Sequence, residues 1–451
     1  MKKRDILILI ALLGIVIISL KFNIFNYLTK DRKDEIENTT LQVWIMPNTV
    51  RSEDDLDDII SLWTKETGIK VEVTVIDWGS AWNRLTTAAT SGIGPDICQL
   101  GTTWVPTFAS MDILEDLTPY LDANTEEQFF PAAWKYSGLS TTGETTTLPW
   151  ISDIRIAYYR RDVFAAAGID PDQAFATWEG FESALRMIKE KVPTFNGKKI
   201  SPFAHPGKND WNVPFNFSQW IWSAGGQYIT EDGMKSTMTD PKTISGIEKY
   251  ISFVGEGLVD SKYLKQNSQE IQDAFGKGEI GVVFLPPAVQ RDIKRQANGE
   301  IEGVFDKVEP ALPPAGKSGR ATFFGGSNLG IFSFSENKKE AVELLKYLTL
   351  NSTAAAKYAN LSAHYPPLYA AAKDPVFDNN KFSKTIGKAG SYGKAYPVVP
   401  WWGLIELTLI RRCGNIWDIV SGVNGEYDIN DVIDELERAN SDIKVIIKAQ
   451  E

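Results

Sequence analysis

In LPWISDIRIAYYRRDVFAAAGID, residues 148–170, an acid and a base stand two positions apart on an otherwise apolar, β-branched run. Residues i and i+2 of an extended strand share a face, so Asp153 and Arg155 lie beside each other with Ile151, Ala157 and Tyr159. Such a pair can do one of three kinds of work. The carboxylate can accept from the hydroxyls of a polar ligand while the guanidinium donates to its oxygens and holds the acid ionised. The two can instead form an ion pair that fixes the strand. Or Asp153, with Asp77 or Asp96, can act as acid and nucleophile on a glycoside. That chemistry requires carboxyls about 5–5.5 Å apart for retention and about 6.5–9.5 Å for inversion. Asp96 stands in GPDI, at the turn into a buried strand, which argues against catalysis.

Few other residues offer reactive chemistry. There are two histidines, His205 and His364, and two cysteines, Cys98 and Cys413, with none of the spacings that bind a metal. Cys98 lies in the apolar strand DICQL and Cys413 follows two arginines in a helix; the pair reads as two buried free thiols, with a disulfide between them as the alternative. No metal or cofactor is expected, and a histidine- or thiol-based enzyme has little to work with. Tryptophan is the anomaly, at 14 residues. Indoles in a core need no further explanation, but indoles on loops make flat stacking surfaces for a ligand.

The composition, 43% hydrophobic and 23% charged, is that of a globular protein, and 451 residues are enough for two or three domains. The net charge of −11, with no basic run beyond MKKR and KDRK, excludes nucleic acid as a partner and disfavours strongly anionic small ligands unless a local arginine overrides the field. The chain opens with a basic start and an apolar run over residues 6–20 that fits a secretory signal. FNIFNYL extends the apolar character past Lys21, no A-x-A-like cleavage site follows, and no cysteine precedes Cys98 to carry a lipid. Residues 1–28 are therefore expected to be an uncleaved membrane anchor and residues 29–40 a polar tether to an extracytoplasmic domain.

The elements that must position the candidate residues follow from periodicity. LQVWIM alternates as a strand, LDDIISLWTKETG is an amphipathic helix closed by Gly68, and IKVEVTVID is a second strand. WGSAWNRLTTAATSG is a helix and PDICQL a short buried strand. This β-α-β-α-β order predicts a mostly parallel sheet flanked by helices, with ligand-facing loops at the carboxyl ends of its strands. Those loops hold Asn48, Trp78 and the run Thr102, Thr103, Trp104, so two of the three carry an indole. Residues 148–160 read as one further strand. Thr177 is a helix N-cap, NFSQWIWSAGG a helix, GEIGVVFLPP a buried strand, and PALPPAGKSGRATFFGGSN a crossover.

The stretch from TGIKVEVTVIDWGSAWNRL to DLTPYL resembles the first lobe of extracellular solute-binding protein family 1, the receptors of ABC importers that include maltose-binding protein. LPWISDIRIAYYRRDVFAAAGID, WIWSAGGQYITEDG, AFGKGEIGVVFLPP and GGSNLGIFSFSENKKEAVELLKYL are similar to further segments of that family, in the same order. The resemblance implies an α/β, two-lobed periplasmic-binding-protein fold of type II, each lobe a mostly parallel sheet flanked by helices, joined by hinge crossovers. It divides the chain into a first lobe of residues 41–151 with 328–366 and a second of 152–327 with 367–451.

It further implies a non-enzymatic, monomeric receptor that binds a carbohydrate, an oligosaccharide, between the lobes and delivers it to the ABC transporter permease subunits. By this resemblance Asp153 and Arg155 sit at the crossover and meet the ligand. Trp78 and Trp104 are stacking platforms beside Asn48, Thr102 and Thr103. Trp211, Asn216 and Gln219 line the second lobe. Gly325, Gly326 and Asn328 lie where the chain returns to the first lobe. Trp401 and Trp402, in YPVVPWWGLIEL, are a late cleft segment of which one indole reaches the ligand. Pro286–Pro287 stand where relatives carry a Gly-x-Trp-like turn, so a stacking ring is missing there. The same fold with a charged solute (a uronate oligomer, a phosphate ester or a polyamine) is the alternative, and a glycoside-active enzyme using Asp153 a more distant one.

Overall fold

The computed structural model describes residues 39–138, 143–208, 210–423 and 427–450. The expected anchor and nearly all of the tether lie outside the described residues. Among those described, no helix is long and apolar enough to cross a membrane.

The first lobe opens with β1 (Thr40–Ile45), α1 (Ser52–Thr67), β2 (Lys70–Val75), α2 (Trp78–Ser91), β3 (Ile97–Gly101) and α3 (Val105–Ser110). β1 alternates half-buried and buried residues and pairs in parallel with both β2 and β3. The period-2 pattern splits β1 between two cores: Leu41, Val43 and Ile45 pack under Leu56, Ile59, Ile60 and Trp63 of α1. Cys98 and Leu100 of β3 pack on the other side, under Ala81, Leu85 and Ala88 of α2. Gly68 closes α1 in the left-handed region at φ 79°, its N–H donating to the Thr64 carbonyl.

The stretch that reads as one strand is two. β4 (Thr147–Ile154) belongs to the first sheet and β5 (Ile156–Arg160) to the second, with Arg155 as the single residue between them. The second lobe continues through α4 (Trp178–Lys191), β6 (Ser201–Ala204), α5 (Val213–Ser223), α6 (Pro241–Gly255), α7 (Ser268–Gly276), β7 (Ile280–Leu285), α8 (Val289–Ala297) and β8 (Val308–Ala311). Thr177 caps α4 as expected, accepting from the Gly180 N–H. Helix α5 is buried along its whole length, which explains its all-round apolar sequence.

The chain returns through β9 (Thr322–Ile331), then α9 (Lys338–Leu350), α10 (Ser352–Ser362), β10 (Gly393–Lys394), α11 (Trp402–Val420) and α12 (Ile429–Lys448). β9 lies between β3 and β4, antiparallel to both. The first sheet runs β10-β9-β3-β1-β2 with β4 on β9, and the second runs β8-β5-β7-β6. In the second sheet only β6 and β7 are parallel. The βαβ alternation suggests more parallel pairing than this, because it takes no account of strands that arrive from the other lobe and run opposite to their neighbours.

The two crossovers are tied together where they pass. The Thr322 hydroxyl donates to the Arg155 carbonyl at 2.6 Å, and the Arg155 N–H donates to the Phe323 carbonyl at 3.4 Å. A third passage runs beside them, with the Ser152 N–H donating to the Tyr365 carbonyl at 2.9 Å. Cys98 and Cys413 are both free and buried.

Candidate functional site

Between the sheets lies a cleft of about 490 Å³ with walls from both lobes. The first sheet and its strand-end loops supply Pro47 and Asn48 after β1, Asp77 and Trp78 at the start of α2, Ile151 and Asp153 of β4, and Gly326 and Ser327 of β9, so Asp153, Gly326 and Ser327, expected in the second lobe, stand on strands of the first sheet. The second lobe supplies Asp210, Trp211 and Asn212 before α5, residues 267–269 and Gln272 at the head of α7, and Pro286, Ala288 and Arg291 around the start of α8. His364 closes the third passage. The strand-end loops face the cleft because the chain leaves β1 and β2 on that side of the sheet.

Two indoles from opposite walls meet. Trp78 and Trp211 stack with centroids 5.6 Å apart and planes tilted by 20°. Trp104 meets Trp78 edge-on at 5.6 Å and 68°. Behind the stacked pair is a recess of about 30 Å³ lined by Thr102, Thr103, Trp104, Phe215 and Phe323. That volume suits a water molecule or two. A sugar ring between two indole faces needs about 3.5–4 Å on each side, so roughly 7–8 Å between them. The pair is in contact with itself and must part, or offer an outer face, to take a sugar.

Asp153 and Arg155 share a face but not a role. Arg155 is only 2% exposed and lies outside the cleft lining. Its Nη1 donates to Asn216 Oδ1 at 2.7 Å and its Nη2 to Asn212 Oδ1 at 2.6 Å. Phe215 and Phe323 flank the guanidinium at 5.5 and 5.8 Å. Its contact with Asp153 is long, 3.9 Å. The strand break at Arg155 turns this side chain into the second lobe, where it braces the junction. Asp153 faces the cleft. Burial pushes its carboxyl above the usual range, and Arg155 pulls it back. Its Oδ1 is buried without a hydrogen-bond partner among the described residues, an acceptor open to a donor.

The other expected residues divide. Asn48 lines the cleft, but its Nδ2 is held by Gln99 Oε1 at 2.8 Å and Tyr358 OH at 2.9 Å, so it is fixed from behind. Gly326 is at the wall with φ 146°, and a Cβ there would stand 2.0 Å from the Ile151 carbonyl oxygen. Gly325 pairs with Asp153 across the sheet, and Asn328 is buried on the Tyr136 carbonyl and Thr147. Asn216 serves Arg155, and Gln219 is buried in α5, outside the cleft lining. Trp401 and Trp402 also stand apart. They stand at the start of α11, Trp402 stacked on Tyr396 at 4.2 Å and Trp401 donating to the Gly233 carbonyl. The Pro-flanked apolar run does not distinguish a helix start from a strand. Asp96 is far from catalytic work, since it accepts from the Gln42 N–H at 2.8 Å and from Ser335 and Asn337.

Several lining residues carried no signal in the sequence. Asp210 accepts the Asn212 N–H at 2.7 Å and the Ser268 N–H at the start of α7. Arg291 donates across the cleft to the Asn48 carbonyl at 2.8 Å. Near the recess, Thr103 donates to Glu406 of α11 at 3.1 Å, and Thr107 to the Pro400 carbonyl at 2.8 Å. Burial pushes the Glu406 carboxyl up to about 7, against the pull of Thr103 and the nearby indoles of Trp402 and Trp104. Asp210 is held within its own lobe, whereas the Arg291–Asn48, Thr103–Glu406 and Thr107–Pro400 contacts join segments far apart in the chain, and no local pattern announces them.

Comparison with known proteins agrees with this architecture. Residues 49–355 match the family of bacterial extracellular solute-binding proteins. The chain is 25% identical over 423 residues to the diacetylchitobiose-binding protein of Streptomyces coelicolor, covering 88% of this chain and 90% of that one. Among solved structures, a solute-binding protein of Thermotoga lettingae bound with α-D-tagatose superposes with a TM-score of 0.76 at 21% identity, covering 91% of this chain and all (100%) of that one. Maltose-bound MalE3 of T. maritima superposes with a TM-score of 0.75 at 20% identity, covering 92% and 100%. At such identities the structural likenesses speak for the fold. With the family matched across most of its length, the chain belongs to the bacterial extracellular solute-binding proteins, extracytoplasmic receptors that work with ABC transporter permeases.

Proposed function

We propose that this chain is the carbohydrate receptor of an ABC importer: it takes an oligosaccharide into the interlobe cleft and delivers it, unchanged, to the membrane permease. The observation that carries this reading is the meeting of Trp78 and Trp211 from opposite lobes beside Asp153, whose Oδ1 has no hydrogen-bond partner among the described residues. A sugar presents an apolar C–H face and a rim of hydroxyls. Indole faces cover the first, and a carboxylate accepts from the second. A volume of about 490 Å³ lies within the range of small-ligand clefts. The sugars named for the relatives, diacetylchitobiose, maltose and tagatose, support the same chemistry.

In this reading the lobes open about the tied crossovers at Arg155 and Thr322, close on the sugar, and present the closed form to the permease. The receptor acts as a monomer held at the membrane by residues 1–28 through the tether of residues 29–40. A thermal-shift panel of mono- and oligosaccharides tests the proposal, because a ligand of the native state raises the melting temperature with concentration. The expected result is a saturable shift with one sugar class and recovery of that sugar intact. No shift with any sugar, or a cleaved product by chromatography, contradicts it.

A further inference from the structure

The charged groups that line the cleft are not equally answered. Asp77 accepts the Gly79 N–H at the start of α2, and Asp210 accepts two backbone N–H groups, one of them at the start of α7. Both carboxylates therefore sit where a helix dipole favours a negative charge. Asp153 has Arg155 beside it. Among the described residues Arg291 has no such partner. Its hydrogen bond is to a neutral carbonyl, that of Asn48. The groups that act on it are Asp292 and Arg295 of its own helix and the buried Tyr358 hydroxyl of α10, and none of the three cleft carboxylates is among them. Asp292 is itself engaged, by Gln272 at 2.6 Å and Arg295 at 3.2 Å.

The position of Arg291 sharpens the imbalance. It lies in the first turn of α8, where the Gln290 and Arg291 N–H groups donate to the Pro287 and Ala288 carbonyls, and Pro286 and Ala288, just before the helix, line the cleft. A cation at a helix N-terminus opposes the dipole, and the combination of the two favours an anion in front of them. His364 stands at the same cleft, a buried, uncharged imidazole. Burial and the neighbouring Arg291 hold that ring neutral, with its pKa down at about 3. A guanidinium fork with four N–H groups beyond its one bond to Asn48 matches a planar or tetrahedral oxyanion.

We propose that the α8 end of the cleft reads an acidic substituent on the carbohydrate, a carboxylate or a phosphate ester, with Arg291 as its charged partner. This rests on the carbohydrate reading above and narrows its substrate class from neutral to acidic sugars.

Calorimetry on the full chain at low ionic strength tests it with matched pairs. One arm compares neutral di- and trisaccharides of glucose, galactose, xylose and N-acetylglucosamine with the same sugars bearing one uronic acid. The other compares hexoses with their 6-phosphates. The acidic member of a pair is expected to bind at least about tenfold more tightly, with the gap shrinking as salt is added. Arg291→Gln should abolish the gap, and Arg291→Lys should keep part of it, which separates lost charge from lost fold. A gap confined to the uronate arm assigns a carboxylate, and one confined to the phosphate arm assigns a phosphate ester. Equal binding of both members, tighter binding of the neutral one, or a gap that survives in a folded Arg291→Gln protein overturns this proposal and leaves the carbohydrate reading standing. Binding of no member of any pair contradicts both.

Discussion

Trp78 and Trp211 rest against each other across the cleft, 5.6 Å between centroids, one ring fixed at the head of α2 and the other just before α5. Trp211 is 40% exposed, unusual for an indole, and Trp104 backs Trp78 from the first lobe. In the absence of sugar the two rings shield each other's faces from water. A ligand that parts them covers two indole faces in place of one ring-on-ring contact, so each ring contributes apolar contact to the bound state.

Trp78→Ala and Trp211→Ala are each expected to weaken sugar binding by about 1–3 kcal/mol, the scale of a buried aromatic contact. Titration calorimetry against the sugar found by thermal shift measures it. Unchanged affinity in both variants would place the ligand elsewhere.

Asp153 and Arg155 should separate cleanly. Asp153→Asn keeps the shape but removes a buried carboxylate whose protonated form burial already favours, so stability should change little while affinity falls about tenfold. Arg155→Met should do the reverse of the first effect. It strips Asn212 and Asn216 of their donor and leaves Asp153 without a cation, a loss of about 3–5 kcal/mol in unfolding free energy. Chemical denaturation of the two variants reads this directly. A stable Arg155→Met protein would show that the guanidinium braces nothing.

The strand carrying these residues shows how far sequence reasoning reaches. The i, i+2 rule placed both side chains on one face, and the alternation of strands and helices put Asn48, Trp78 and the Thr102–Trp104 loop at strand ends. The rule could not show the break at Arg155, because the residues on either side are equally β-prone and only the divergence of two sheets makes the break. Trp401 and Trp402 stand outside the cleft lining, and the sequence does not show this because an apolar run flanked by proline has no period. Arg291, Asp210, His364 and Glu406 were invisible because their membership of a cleft or a lobe contact depends on groups far away in the chain.

Glu406 makes stability depend on pH. Its pKa is about 7 in the fold against 4.5 unfolded, so the folded state binds the proton more tightly. The stability this contributes is whole below about pH 4.5, declines between 4.5 and 7, and is gone above. At 1.36 kcal/mol per pKa unit the swing is on the order of 3 kcal/mol. Glu406→Gln should flatten this part of the profile and raise the melting temperature above pH 7. A wild-type melting temperature that climbs steadily from pH 5 to 7, with no difference in the variant, would contradict the assignment.

Gly326 is a steric requirement of the cleft wall. With φ at 146° and the Ile151 carbonyl oxygen 2.0 Å from the position of a Cβ, Gly326→Ala must push β9 away from β4. A loss of at least about 2 kcal/mol is expected, in the range of overpacked cores. A variant with wild-type stability in a thermal melt would mean that the strands separate without cost.

The central claim, that a sugar is held between the lobes at the paired indoles, is tested most directly by the crystal structure of the chain with the oligosaccharide that stabilises it. The account predicts a sugar ring against the face of Trp78 or Trp211, those rings parted to roughly 7–8 Å if it lies between them, and a sugar hydroxyl donating to Asp153. A sugar bound outside the cleft, with the 5.6 Å stack intact and Asp153 untouched, would contradict it.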